Sequence, residues 1–106
     1  MDIQLKKGLI EICVLKCLTY GDSYGYEIIN RVAPYVTISE STLYPILRRL
    51  QTAGCLTCYS QEYNGRLRKY YSITKQGRER IRNFLEEWKN IIKIYKFIAE
   101  DNNDTD

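Results

Sequence analysis

The chain has 106 residues, of which 44% are apolar and 27% charged, values typical of one small globular domain. It contains no histidine, so Ser-His-Asp triads, Cys-His dyads and histidine-containing zinc sites are excluded. The longest apolar run has four residues (12–15), too few to cross a membrane, and Glu11 and Lys16 argue against a signal peptide. We therefore expect a cytoplasmic protein that is not an enzyme, binds no cofactor or metal and spans no membrane.

The net charge of +3 is distributed unevenly along the chain. The last seven residues (100–106) hold four acids and no base, so the first 99 residues carry 16 basic and 9 acidic side chains, a net charge of +7. Residues 39–82 alone have nine basic and three acidic side chains, a net charge of +6. This distribution suits a polyanion such as nucleic acid, although a solvated basic surface would produce the same counts.

Helical periodicity predicts three helices in the first half of the chain. The first covers residues 4–18, whose apolar residues are spread so widely that we expect burial on most sides. The second runs from Tyr24 to about residue 32 with Ser23 as its N-cap, and the third from residue 40 to about residue 53 with Ser39 as its N-cap. The apolar positions of the third helix follow an i, i+3, i+4, i+7 spacing: Leu43, Ile46, Leu47 and Leu50.

Two strands and a long helix are predicted in the second half. Residues 55–62 and 66–73 are rich in Tyr, Thr and Leu, and Asn64-Gly65 between them is a strong hairpin turn signal. Thr74 is the predicted N-cap of a last helix that runs to about residue 99. The order of elements predicts a mainly α fold with a β-hairpin: a winged helix-turn-helix (1–74), a long C-terminal dimerisation helix (75–99) and a disordered acidic tail (100–106).

The third helix and the hairpin carry the residues expected to bind DNA. The polar face of the helix offers hydroxyl groups and backbone donors for phosphates, and arginines for a guanine edge or a second phosphate. The hairpin presents a cationic tip that can follow a phosphate backbone or enter a minor groove. An exposed polar helix face and a charged edge strand are the simpler explanations, but a basic tip directly after a helix-turn-helix favours DNA. The predicted contact residues are Ser39, Ser41, Thr42, Tyr44, Arg48, Arg49, Arg66, Arg68 and Lys69.

The last helix has an apolar heptad pattern sustained for nearly three repeats. This stripe is too long for so small a domain to cover, so we expect a two-fold mate to bury it; packing along the whole helix within one chain is the alternative. A two-fold dimer would place the two third helices about 34 Å apart, matching a pseudo-palindromic operator in double-stranded DNA. The predicted dimerisation residues are Ile81, Phe84, Leu85, Trp88, Ile91, Ile92, Tyr95 and Ile98.

The four cysteines are predicted to be small buried hydrophobic residues. Cys55-x-x-Cys58 is similar to half of a zinc site or a redox motif, but no second pair with zinc spacing lies nearby and no histidine can assist. On a strand these two side chains would point to opposite faces, whereas Cys13 and Cys17 share one face of a helix. A thiol-based redox switch is a further possibility with no support in the sequence.

Three motifs carry a resemblance to a known family: Tyr-Gly-Tyr-Glu-Ile at 24–28, Thr-Leu-Tyr-Pro-Ile-Leu-Arg-Arg-Leu at 42–50, and Gly-Arg-Leu-Arg-Lys-Tyr-Tyr-Ser-Ile-Thr at 65–74, followed by Gly77. In this order and spacing they resemble the PadR family of transcriptional regulators, over about residues 4–95. The single long last helix is similar to that of the short PadR-like subfamily, which includes multidrug-sensing repressors. The resemblance implies a winged-helix homodimer that binds an operator, often as a repressor. The main alternative is a protein-interaction module that uses the winged helix without binding DNA.

The resemblance also implies a role for Trp88, the only tryptophan. In multidrug-binding relatives, the matching tryptophan of each chain forms a flat slot for planar aromatic ligands. The alternative is that Trp88 is packed in the core or the dimer interface. If the slot exists here, a planar aromatic or phenolic effector would contact residues of the last and first helices: Trp88, Phe84, Ile91, Ile92, Leu9, Ile12 and Cys13.

Overall fold

The structure, a computed structural model, describes residues 1–101. Its helices are α1 (Ile3–Leu18), α2 (Gly25–Val32), α3 (Glu40–Thr52) and α4 (Lys75–Ala99), and its strands are β1 (Ser23–Tyr24), β2 (Leu56–Tyr63) and β3 (Arg66–Ile73). The strands form an antiparallel sheet in the order β1-β3-β2. The predicted winged-helix class, mainly α with a β-hairpin and a long last helix, is confirmed. Of the predicted acidic tail, residues 102–106 lie outside the described part of the chain.

The core lies where α1, α2 and α3 pack against the sheet. All four apolar positions predicted for α3 are buried. The first six residues of α1 are exposed, and burial begins in its second half, so this helix is less enclosed than predicted. Cys17 and Cys55 belong to the core, and Cys13 and Cys58 pack against it, as predicted. The fully buried large side chains include Val14, Leu15, Leu18, Ile28, Leu43, Leu47, Leu50 and Leu56.

Two of the three predicted helix caps are confirmed. The Ser39 hydroxyl accepts a hydrogen bond from the Thr42 amide, and the Thr74 hydroxyl accepts one from the Gly77 amide. The prediction that Ser23 caps the second helix is wrong. Ser23 is fully buried in β1, opposite Tyr71, and its hydroxyl donates to Glu27 Oε1 at 2.6 Å. The helix therefore begins at Gly25 rather than at Tyr24.

The hairpin has the two-residue turn that its sequence predicts. Tyr63 pairs with Arg66, and the two residues between them have positive φ angles, 52° at Asn64 and 75° at Gly65. Both central residues of a type I′ turn need this left-handed conformation, which Asn and Gly adopt most readily. We call the hairpin of β2 and β3 the wing.

α4 begins against the wing and the end of α3 and then extends along the long dimension of the molecule, which measures 69 Å. At 1.5 Å per residue its 25 residues span ~37 Å. Phe84 and Trp88 are half-buried, but the helix beyond them is exposed, including Ile91 and Ile92 at 44% and 45%. Within residues 1–101, no helix has both the length and the apolar character that crossing a bilayer requires.

Candidate nucleic-acid interface

Three hydroxyl groups cluster at the exposed N-terminus of α3. The Ser39 Oγ lies 2.9 Å from the Ser41 Oγ and 3.2 Å from the Thr42 Oγ1. Ser39 holds the first turn through the Thr42 amide, so its cap fixes the direction of the helix start. The hydroxyls and the remaining free amides of this turn form a surface suited to a phosphate, because a helix N-terminus carries partial positive charge. The structure therefore brings these three predicted residues together.

The two adjacent arginines of α3 have different environments. Arg48 is exposed beside Pro45 and Thr52. Arg49 instead turns toward α1, where its Nε and Nη2 lie 2.8 Å and 2.6 Å from Glu11 Oε2. This placement does not support the expectation that Arg49 contacts DNA, because the buried carboxylate already occupies its guanidinium. Successive residues of a helix are rotated by about 100°, so the side chains of Arg48 and Arg49 point in different directions from α3.

The three basic residues of the wing also differ in their exposure and contacts. Arg66 and Lys69 are exposed at its tip. Arg68 is half-buried, with its Cζ 4.5 Å from the ring centroid of Tyr24 and 5.5 Å from that of Tyr63. Its Nε is buried and makes no hydrogen bond to the described residues. Stacking on tyrosine faces holds the guanidinium plane in one orientation. The two tyrosine rings thus hold the Arg68 guanidinium in place, whereas the side chains of Arg66 and Lys69 extend into solvent.

Tyrosines cover the sheet face that carries Arg68. Tyr24, Tyr70 and Tyr59 lie side by side across the three strands, as the pairings Tyr24–Tyr70 and Tyr59–Tyr70 require. Tyr59 and Tyr70 are stacked with centroids 5.7 Å apart, and Tyr24 meets Tyr70 edge-on at 5.5 Å. The Tyr59 hydroxyl donates to Asp22 Oδ2 at 2.7 Å, and this hydrogen bond raises the pKa of Tyr59. These contacts attach the wing to the segment that precedes α2.

A polar groove of about 530 Å³ separates α3 from the wing, and we call it the wing groove. Its walls are the start of α2, the first turns of α3 and the tip of β3. Three basic side chains and one carboxylate, Glu40, face it. It is lined by Tyr24, Gly25, Tyr26, Glu40, Tyr44, Arg66, Leu67, Arg68 and Lys69. The structure therefore places the α3 N-terminus and the basic wing on the two sides of one concave, positively charged surface.

The seven residues predicted for an effector site do not line one common groove among residues 1–101 of a single chain. Ile12 and Phe84 line a groove of about 310 Å³ between α1 and α4, with Glu11, Arg80 and Glu87. Ile12 and Cys13 line a separate apolar groove of about 630 Å³ between α1 and α2. Trp88 pairs with Phe84, with ring centroids 5.9 Å apart. The other four predicted residues line neither groove: Leu9, Trp88, Ile91 and Ile92.

The structure gives roles to several residues for which the sequence analysis predicted none. Tyr63 and Tyr24 brace Arg68, Gly25 accommodates Tyr44, and Glu11 holds Arg49. Glu11 alone had a visible signal, because it is the only acid in an otherwise apolar or basic helix. On α4, the exposed Ile94 and Phe97 lie outside the predicted stripe and enlarge its apolar surface.

Comparison with solved structures gives matches that span most of this chain. A transcriptional regulator from Clostridium thermocellum is 30% identical, with a TM-score of 0.80 over 94% of this chain and 99% of that one. A protein from Streptococcus mutans is 41% identical, with a TM-score of 0.75 over 85% and 86% of the two chains. A PadR family transcription regulator from Clostridium difficile is 29% identical, with a TM-score of 0.77 over 86% and 98%.

The sequence comparison agrees with the structural one. Residues 14–83, from the middle of α1 to the first turns of α4, match the Transcriptional regulator PadR-like family. That range includes the hydroxyl cluster, the wing and the wing groove, and it contains all three motifs on which the resemblance rested. This chain belongs to the PadR-like family of transcriptional regulators.

Proposed function

We propose that the protein is a homodimeric repressor that binds double-stranded operator DNA through α3 and the wing. The observation that carries the proposal is the wing groove, in which the α3 N-terminus faces the basic tip of β3 across one polar surface. Phosphates contact the Ser39, Ser41 and Thr42 hydroxyls on one side and Arg66 and Lys69 on the other. In this proposal Arg48 of α3 contacts a guanine edge or a second phosphate, and Tyr44 adds a hydrogen bond to the DNA backbone.

Dimerisation is supported by the exposed apolar surface of α4. Leu85, Ile91 and Ile92 are 54%, 44% and 45% exposed in the single chain, and Ile98 is 72% exposed. So many large apolar side chains on one helix cost free energy in water unless a partner covers them. A second copy supplies a matching helix and, through its two-fold axis, a second reading head for a pseudo-palindromic site.

The test of DNA binding is a titration of genomic fragments selected by the purified protein, at several salt concentrations. Each phosphate contact contributes about 0.9 to the slope of log affinity against log salt, so Arg66→Ala/Lys69→Ala lowers that slope by about two per half-site. The matched control is Lys89→Ala/Lys93→Ala, which also removes two positive charges, but from α4 rather than from the wing. Equal slopes for both double variants and the unmodified protein would overturn the proposal.

Relief of repression is assigned to a planar aromatic or phenolic effector beside Phe84 and Trp88. These two rings are half-buried and adjacent, and a second copy of α4 would enclose the space around them. Quenching of Trp88 emission by planar aromatic compounds, measured together with loss of DNA binding, tests this part. Trp88→Leu has no tryptophan emission, so in this variant only DNA binding is followed; it is expected to keep the dimer and to bind DNA equally well with and without the compound.

A further inference from the structure

Glu11 is the one charged side chain that is buried among residues 1–101, with 7% of its surface exposed. It lies in the middle of α1, which otherwise packs the core with aliphatic side chains. Burying a carboxylate is costly unless cations and hydrogen bonds compensate it. The environment of Glu11 therefore needs an explanation beyond the packing of α1.

The two oxygens of Glu11 bind arginines from two different helices. Oε2 accepts from Arg49 of α3, at 2.8 Å and 2.6 Å from its Nε and Nη2. Oε1 lies 2.6 Å from Nη2 of Arg80 in α4. The partners are 38 and 69 residues away along the chain. One carboxylate thus joins the proposed recognition helix to the proposed dimerisation helix.

A second set of contacts attaches the start of α4 to the end of α3. The Thr74 hydroxyl donates to the Gly54 carbonyl at 2.6 Å, and the Thr74 amide donates to the Cys55 carbonyl at 3.0 Å. Arg80 Nη1 also lies 3.9 Å from Cys55 Sγ. Backbone contacts therefore fix one end of α4, and Arg80 is the next attachment, two turns further along the helix.

From this geometry we infer that Glu11 and Arg80 are positioning residues that couple the orientation of α4 to that of α3. The inference deepens the proposed function and rests on it. A tilt of α4 about its fixed first turn displaces Arg80, and Arg80 acts on Arg49 through the shared carboxylate. Only the carboxylate of this network is buried, since the Arg49 and Arg80 side chains are 52% and 42% exposed. Such charge-assisted contacts add little net stability, but their strength depends on geometry. Such a network favours one relative placement of the two helices.

The groove between α1 and α4 is a place where a bound ligand could change this coupling. Glu11 and Arg80 form part of its wall, next to Ile12 and Phe84. A small molecule in this groove contacts the ion network directly, and any change in the Arg80–Glu11 pair alters the placement of α3. By reciprocity, DNA bound to α3 changes the environment of α4.

The test uses Trp88, eight residues after Arg80 on α4 and the only tryptophan of the chain, as a reporter. Emission of the full-length protein is recorded with and without saturating selected DNA, for the unmodified protein and three variants. Arg80→Met breaks the link while leaving Glu11 paired with Arg49, and Arg80→Lys keeps a charge that can reach Glu11. Arg31→Met is the matched control, since the Arg31–Glu27 pair lies within α2 and spans 3.5 Å.

We expect Arg80→Met to lose at least half of the DNA-induced emission change and to bind DNA three- to tenfold more weakly. Arg80→Lys should recover most of both effects, and Arg31→Met should match the unmodified protein. If Arg80→Met does not fold, Glu11→Gln serves for the same comparison. Two results would overturn the inference and leave the proposed function intact. One is that the unmodified protein binds DNA without any change in Trp88 emission; the other is that Arg80→Met shows the same DNA-induced emission change as the unmodified protein. Failure of the unmodified protein to bind any DNA would instead overturn the proposed function.

Discussion

The phenol of Tyr44 in α3 lies directly against the backbone of Gly25, the first residue of α2. A Cβ built at position 25 would lie 2.9 Å from the Tyr44 Cζ and closer still to its hydroxyl. The glycine is thus needed for space rather than for an unusual φ angle. This contact sets the distance between the two helices of the helix-turn-helix and places the Tyr44 ring in the wall of the wing groove.

Gly25→Ala should therefore displace Tyr44. We expect a loss of about 1 kcal/mol in the free energy of unfolding, the low end of the range for an added methyl group, because Tyr44 is 40% exposed and its side chain can rotate aside. Urea denaturation measures this loss. The control is a double-mutant cycle with Tyr44→Ala, in which the same methyl group should cost much less. An equal cost in both backgrounds would contradict the contact as its cause.

Arg68 should be sensitive to the shape of its cation and not only to its charge. Arg68→Lys keeps the positive charge but loses the flat guanidinium that stacks on Tyr24 and Tyr63. Each such contact is worth about 0.5–1 kcal/mol at a partly exposed site, so we expect a loss of about 1 kcal/mol in unfolding free energy. Arg66→Lys, at the exposed tip, is the control and should leave stability unchanged. Similar values for the two lysine variants would argue against a bracing role.

A side chain at the second position of the wing turn, Gly65, should lower the stability of the protein. Gly65 has a φ of 75°, and a residue with a Cβ in this left-handed region costs about 1–2 kcal/mol. No atom lies within 4 Å of the position a Cβ would take, so the expected cost of Gly65→Ala comes from backbone strain alone. Thermal unfolding measures it, with Gly8→Ala as a control in a helix. Gly8 also has open space, and alanine there should stabilise the helix.

Stability should fall in alkaline solution partly because of Tyr71. Burial raises the pKa of the Tyr71 phenol in the folded protein above its ordinary value of 10.0. Below pH 10 both the folded and the unfolded chain hold this proton; above it, the unfolded chain releases the proton first, so the folded state loses stability as the pH rises. Tyr71→Phe should show a shallower decline in stability as the pH rises above 10, measured by urea denaturation.

The comparison of Tyr71→Phe with the unmodified protein isolates this one group. Tyr59 and the thiols of Cys13 and Cys17 also have raised pKa values and act in the same direction in both proteins. Parallel declines for the two proteins would show that Tyr71 does not contribute.

The apolar stripe on α4 should control the oligomeric state. Ile92→Glu introduces a charge into the surface that we propose a second copy covers, and a two-fold dimer contains the change twice. We expect a dissociation constant at least 100-fold higher, since loss of one buried isoleucine costs about 1.5–3 kcal/mol. Sedimentation velocity measures it, and Asn90→Glu on the polar side is the control. Equal dissociation of the two variants would place the interface elsewhere.

Local signals explain which parts of the fold could be predicted from the sequence. The stripe of Leu43, Ile46, Leu47 and Leu50, the Asn64-Gly65 turn and the caps Ser39 and Thr74 depend on neighbours within a few residues, and all agree with the structure. The prediction that Ser23 caps the second helix was wrong because a capping residue and a residue of a short strand have the same extended backbone. Only its pairing with Tyr71, distant in sequence, distinguishes the two.

The environment of individual side chains was harder to predict than the elements that carry them. Arg48 and Arg49 are adjacent arginines that the local sequence does not distinguish, but the rotation of about 100° between them directs only the Arg49 side chain toward Glu11. Arg66 and Arg68 share a strand face, yet only Arg68 reaches Tyr24. In each case the deciding partner comes from another element, so the local pattern alone does not contain the information.

The ion network of Glu11 also has a consequence for a chain that lacks α4. α1 is synthesised first, and Arg80 follows 69 residues later. Without Arg80, the Glu11 carboxylate has only one of its two arginine partners, Arg49. A chain that ends before α4 would therefore bury the Glu11 carboxylate with incomplete compensation of its charge, which lowers the stability of the remaining fold.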